Sequence, residues 1–178
     1  DRMSQKYQEL IVRPAIDDGA LGPLISERQK LIVEDFISKG QNLNLVAQGE
    51  IDGNVPENGH YVAPHLFADV SDDHILAKDE IFGPVQVIMP FDTEEEAINI
   101  ANGTDYGLVA SIWTNDGARQ MRLAKKLKSG QVFINNYGAG GGVELPFGGR
   151  GFSGHGREKG FEALFGFSTL KTVASYHQ

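Results

Sequence analysis

Between Val85 and Asn135 three nearly unbroken apolar runs, VQVIMPF (85–91), LVASIW (108–113) and QVFIN (131–135), alternate with two segments of helical periodicity. This pattern constrains the fold more than any other feature of the sequence. A sheet with one wet face alternates apolar and polar residues along each strand, whereas strands that are apolar throughout belong to a parallel sheet covered on both faces. The first intervening segment opens with Thr93 and Glu96 in capping-box spacing and carries Ala97, Ile98, Ile100 and Ala101. The second is capped by Asn115 or Asp116 and places Ala118, Met121, Leu123, Ala124 and Leu127 at apolar positions. Its lysines, Lys125, Lys126 and Lys128, lie near its C-terminal end, where the helix dipole favours cations. Strand, helix, strand, helix, strand with short connections predicts a βαβαβ run with right-handed crossovers. The expected class is therefore α/β, an open and mainly parallel three-layer sheet.

The flanks carry weaker signals. Met3, Tyr7, Leu10 and Ile11 share one face of an N-terminal helix that Pro14 ends. A second helix starts at Ser26, with Gln29 as its capping-box partner, Leu31, Ile32 and Phe36 as its apolar stripe and Gly40 as its C-terminal cap. Residues 44–48 and 61–67 read as short strands, the second interrupted or at an edge because of Pro64. Ten of the 22 glycines lie between Gly138 and Gly160, so a glycine-rich loop follows the last apolar run. A short helix over 157–165 and a half-exposed strand over 168–176 close the chain.

Composition removes several functions. The 178 residues carry a net charge of −8 and no cysteine. That excludes a disulfide framework, a thiolate zinc site and a cysteine nucleophile within the chain. The acidic balance argues against nucleic-acid binding, which needs a basic face. No secretory signal and no membrane-length apolar run is present, so the expected setting is cytoplasmic, with no membrane partner. The five histidines show no paired-ligand spacing and imply no metal site. Position 1 is Asp rather than Met, which suggests a fragment or a processed product. GRGFSG (149–154) matches a dinucleotide fingerprint only formally: a loop precedes it, and no acid stands about 20 residues on.

EIFGP (80–84) and PFGG (146–149) remain. Read alone, the first is a turn leading into a buried strand with a surface Glu80, and the second a tight turn anchored by Phe147. Glu144 and Glu158 read as solvated. In order along the chain stand GPLI (22–25), EIFGPV (80–85), NGTDYGL (102–108), GQVFIN (130–135), PFGG (146–149) and SGHGRE (153–158). Together, and with their spacing, they resemble the carboxyl-terminal part of the NAD(P)-dependent aldehyde dehydrogenase superfamily from about residue 10 to 174.

The resemblance implies a division into 1–167, part of a catalytic domain, and 168–178, an oligomerisation strand. It implies that Glu80 accepts hydrogen bonds from the nicotinamide-ribose hydroxyls of NAD or NADP, that Phe82 lies against the nicotinamide and that Leu108 lines the cofactor end of the pocket. Phe147 would line the aldehyde tunnel, with Asn135 also on the substrate side, and Glu158 would serve a proton relay. In such enzymes the nucleophilic Cys, the general-base Glu and the cofactor-binding domain lie upstream. An aldehyde is oxidised to a carboxylic acid through a thioester on that Cys, so this chain alone is expected to be inert. The implied partners are the aldehyde, the upstream domain and further copies, as a homodimer or homotetramer. Relatives often carry a bulky aromatic in the loop that here reads NYGAGGGVEL (136–145), so a more open tunnel is expected. Two alternatives stay open: a non-catalytic interaction module that keeps the fold, and an independent nucleotide-binding domain.

Overall fold

The computed structural model describes residues 2–138 and 142–177. The chain forms two compact α/β units, Asp1–Thr93 and Glu94–Gln178. The first runs α1 (Arg2–Gln8), β1 (Ile11–Val12), α2 (Glu27–Lys39), β2 (Asn44–Gln48), β3 (Glu50–Ile51), β4 (His65–Ala68), α3 (Ile75–Lys78) and β5 (Val85–Ile88). Strand β4 is central, antiparallel to β2 and parallel to β5, while β1 and β3 form a separate two-residue parallel pair.

Packing on both faces explains why His65, Leu66 and Phe67 of β4 are all buried, without alternation. On one face Phe67 clusters with Val33 of α2, Leu76 of α3, Val62, Val70 and Ile81. On the other lie Leu66 and its register partner Gln86, whose side chain accepts a 2.7 Å hydrogen bond from the Tyr7 hydroxyl of α1. Partial burial there pushes the Tyr7 phenol up. The unit is thus three-layered, with α1 on one side of the sheet and α2 and α3 on the other. Gly40 caps the C-terminus of α2 as expected, with an ordinary φ of −86°. A Cβ there would press on Leu76 and Phe67, and close packing is the reason for glycine.

The second unit contains α4 (Glu94–Ala101), β6 (Val109–Ile112), α5 (Gly117–Lys126), β7 (Gln131–Ile134) and α6 (Ala163–Gly166). Strands β6 and β7 pair in parallel, Val109 with Gln131 through Ile112 with Ile134, and α5 is the crossover between them. The Asp116 carboxylate caps α5, accepting from the N–H groups of Ala118 and Arg119 at 2.9 and 3.1 Å. Glu94 ties α4 to α5 through Arg122 at 2.9 Å and Arg119 at 3.3 Å.

Four expectations change. The N-terminal helix stops at Gln8, and Ile11, expected on its apolar face, lies in β1. The βαβαβ run does not share one sheet: β5 pairs with β4, and β6 with β7. The crossover from β4 to β5 holds only the four-residue α3, too short for helical periodicity to register. The helix expected over 157–165 is confined to α6, because Lys159 and Gly160 adopt left-handed φ values of 58° and 63°. Residues 168–177 form no strand within the described chain, and Leu170 is 97% exposed. Of the loop 136–145, Ala139, Gly140 and Gly141 lie outside the described residues.

The cap and the ion pairs give a pH expectation. Backbone N–H groups, first that of Arg119, hold the Asp116 carboxyl below the usual range, and the Arg122 guanidinium does the same for Glu94. Depressed folded-state values contribute stability that is fully present above the unfolded carboxylate range, near pH 4, and lost as pH falls through the folded values. The thermal midpoint of Asp116→Ala should lie below wild type at pH 7, and the gap should close toward pH 3. A gap constant with pH would remove the charge from the explanation.

Candidate functional site

The first cluster is the turn from Glu80 to Pro84. Ile81, 8% exposed, enters the core beside Phe67 and Leu76, so its neighbours Glu80 and Phe82 point outward. Beyond them the Pro84 carbonyl accepts from His65 N–H at 2.8 Å, which docks the turn on β4. Before them the Asp79 N–H donates to the Ile75 carbonyl at 3.0 Å, so the turn is anchored on both sides of its two outward side chains. Phe82 has φ 53°, a conformation that costs a non-glycine residue on the order of 1–3 kcal/mol, and its ring is 72% exposed. Gly83 lies against Val33 of α2, where a Cβ would run into the valine methyls. A strained backbone that presents an exposed phenyl and an exposed carboxylate is an unusual surface turn, because burial does not account for either side chain.

Sequence reasoning missed Gln29. Its backbone N–H does bond the Ser26 hydroxyl at 3.2 Å, as half a capping box. Its side chain turns away and donates from Nε2 to the carbonyls of Ile81 at 3.0 Å and Phe82 at 3.2 Å. Gln29 and Val33 stand at i and i+4 on one face of α2, and Val33 is the residue that Gly83 packs against.

The second cluster is organised by Gly107. Its N–H donates to the Ser153 hydroxyl at 3.1 Å, and its carbonyl accepts from Gly130 at 2.9 Å and Arg150 at 3.2 Å. One residue thus joins the YGL turn, the start of β7 and the segments around 146–158. Leu108, half-buried, enters β6 here, its carbonyl held by Gln131 N–H at 3.0 Å. The Tyr106 ring meets Phe152 edge-on, with centroids 5.7 Å apart. The formal GRGFSG fingerprint is a one-turn 3-10 helix, Gly151–Ser153, with no strand before it.

Phe147 and Glu158 are bridged antiparallel by two backbone hydrogen bonds of 2.6 and 2.7 Å. The Lys159 ammonium lies 5.5 Å from the centre of the Phe147 ring. Arg157 braces this segment through the carbonyls of Gly149 and Gly156, at 3.1 and 2.6 Å. The Glu158 side chain is exposed. Asn135, with φ 52°, spends its amide on Thr114, accepting from its N–H at 3.0 Å and donating to its carbonyl at 3.2 Å. Its place is thus at the end of β7, fastened to the end of β6. The expected site residues fall in both units: Glu80 and Phe82 in the first, and Leu108, Asn135, Phe147 and Glu158 in the second. Among the described residues no group of three or more His, Asp or Glu is gathered as a metal ion requires, and no helix is long and apolar enough to cross a membrane.

The sequence model of the aldehyde dehydrogenase family matches residues 1–173, and the chain belongs to that family. It is 40% identical over 175 residues to a betaine aldehyde dehydrogenase of Rhizobium etli, covering 97% of this chain and 36% of that protein. It is 57% identical to a putative aldehyde dehydrogenase from Burkholderia cenocepacia, with a TM-score of 0.93, over 97% of this chain and 37% of that one. An aldehyde dehydrogenase of Mycobacterium tuberculosis solved with NAD+ is 41% identical, with a TM-score of 0.81, over 92% of this chain and 34% of that one. The chain therefore spans little more than a third of the length of these relatives.

Proposed function

We propose that this chain contributes a nicotinamide-ribose seat and part of the aldehyde's path to an NAD(P)-dependent aldehyde dehydrogenase that oxidises an aldehyde to a carboxylic acid. The observation that carries the reading is the turn at 80–82. There the inward Ile81 forces a carboxylate and a phenyl ring outward, one on each side of it in sequence, on backbone anchored at both ends. The residues fit this end of the cofactor. A carboxylate offers two acceptor oxygens to two neighbouring hydroxyls, and a flat ring offers an apolar face to another flat ring. When bound, NAD(P)+ supplies the hydride acceptor.

The remaining roles are those the family resemblance implies. Glu80 holds the ribose, and Phe82 limits where the nicotinamide can lie. Leu108 lines the cofactor end of the pocket. Phe147, fixed through its bridge to Glu158, gives an apolar wall on the aldehyde side. Asn135, with its amide engaged at Thr114, shapes the substrate side by holding the end of β7. Glu158, exposed and two hydrogen bonds from Phe147, accepts and passes on a proton. The covalent step needs a thiolate, and none of these 178 residues is cysteine, so that group comes from outside this chain, as the resemblance implies for the general base too. In the same reading residues 168–178 complete a sheet in another copy of the protein, which would cover the exposed Leu170, Val173 and Tyr176 in a homodimer or homotetramer.

Glu80→Gln in the complete enzyme tests the assignment. The amide keeps one acceptor and loses the charge, and a charge-assisted hydrogen bond contributes roughly 1.5–3 kcal/mol. NAD(P)+ binding or hydride transfer should weaken by about ten- to a hundredfold, with the thermal midpoint unchanged. Wild-type affinity and turnover would make Glu80 a plain turn residue and end this reading.

A further inference from the structure

We propose that Gln29 is a positioning residue: from the first turn of α2 it clamps the strained turn that carries Glu80 and Phe82. The proposal deepens the cofactor-seat reading above and rests on it only for its consequence in catalysis. Two carbonyl oxygens in succession, those of Ile81 and Phe82, lie within 3.2 Å of one side-chain atom. Only a donor can meet two acceptors, so the amide nitrogen faces them, and both of its hydrogens are used. The second of these carbonyls belongs to the residue whose φ is 53°. In that conformation a non-glycine peptide persists only where its surroundings over-determine it. Here the surroundings are specific. Ile81 is buried, Gly83 is pressed on Val33, and Gln29, one turn before Val33 on α2, holds the carbonyls between these two anchors.

Gln29 also sits three residues after the cap Ser26, which allows the clamp to be separated from an ordinary helix role. At that position Glu is the preferred partner in a capping box, and its negative charge suits the positive end of the helix dipole. A residue serving only the helix would therefore tolerate Gln29→Glu or improve with it. A clamp would be ruined by the same change. The carboxylate has the same shape as the amide but no donor, and it would set two oxygens against two carbonyl oxygens. Gln29→Met, similar in length and uncharged, removes the donors without adding repulsion.

The experiment measures backbone amide exchange across residues 79–88 in the cofactor-free protein, for wild type, Gln29→Met and Gln29→Glu, together with thermal midpoints and NAD+ affinity. Loss of two hydrogen bonds predicts exchange roughly ten- to thirtyfold faster in Gln29→Met and faster again in Gln29→Glu, with amides in the middle of α2 unchanged. NAD+ affinity should fall in the same order. If Gln29→Glu proves too unstable to purify, the Met variant alone carries the exchange test. Equal exchange in all three proteins, or slower exchange in Gln29→Glu, overturns the proposal and leaves Gln29 a helix-cap residue. If exchange follows the expected order while Glu80→Gln leaves NAD+ affinity at wild type, the clamp stands and the cofactor-seat reading alone fails.

Discussion

Phe67→Ala should cost the first unit roughly 3–5 kcal/mol, the range for removing a large aromatic side chain from a core. Phe67 sits on the central strand β4, is 2% exposed, and packs among Val33, Val62, Val70, Leu76 and Ile81. These five residues come from two helices and three connecting segments, so no single element can shift to fill the space. A small domain is stable by about 5–15 kcal/mol, so this loss removes a large share of the total. Urea unfolding followed by circular dichroism should show a lower midpoint with an unchanged slope. Leu45→Ala is the control. Leu45 is the direct cross-strand partner of Phe67 on β2, yet it is 44% exposed, and its truncation should cost less than half as much. Comparable losses at the two positions would show that the Phe67 face is not the core. Because Ile81 belongs to the same cluster, Phe67→Ala should also loosen the turn at Glu80 and Phe82.

The elements that pack on both faces were legible in the sequence. The apolar runs at 85–88, 109–112 and 131–134 are strands, and Ser26 and Asp116 cap their helices as their spacing requires. Which strands pair was not legible. Hydrogen-bonded partners carry no mark in the apolar pattern, and α3 is a single turn, so the parallel neighbour of β5 stayed hidden. The loop after 138 was legible but the helix over 157–165 was misread, because the order of this region comes from backbone bonds such as that between Phe147 and Glu158. The site motifs could be picked out because each puts a glycine where backbone meets side chain or backbone. The clamp by Gln29 could not, since a polar residue three positions after a serine has a sufficient local explanation. The tail shows the opposite failure: its alternation reads as strand, but a strand exists only with a partner, and none of the described residues supplies one.

Gly130→Ala should be the most damaging single methyl in the second unit. The position a Cβ would take at Gly130 is already filled by the backbone carbonyl of Gly148, and backbone cannot rotate away as a side-chain tip can. Gly130 itself is held in place, since its N–H donates to the Gly107 carbonyl at 2.9 Å and the next residue, Gln131, donates to Leu108. The alternative to moving Gly130 is to push the 147–149 segment outward, which would open the bridge between Phe147 and Glu158. Overpacking of this kind costs about 1–3 kcal/mol where neighbours can yield, and more where they cannot. We expect about 3 kcal/mol or more here, read as a lower urea midpoint by fluorescence of Trp113, the chain's one tryptophan, which follows β6. Gly117→Ala gives the opposite control. Nothing lies within 4 Å of its Cβ position, it opens α5, and alanine favours a helix over glycine by up to about 1 kcal/mol. That variant should be as stable as wild type or more so. If Gly130→Ala matched it, the packing of β7 against the Phe147 segment would not be what positions Phe147 and Glu158. If Gly130→Ala instead folds but exposes new protease cleavage between 142 and 160, the glycine pair Gly130 and Gly148 is the element that holds the second cluster together.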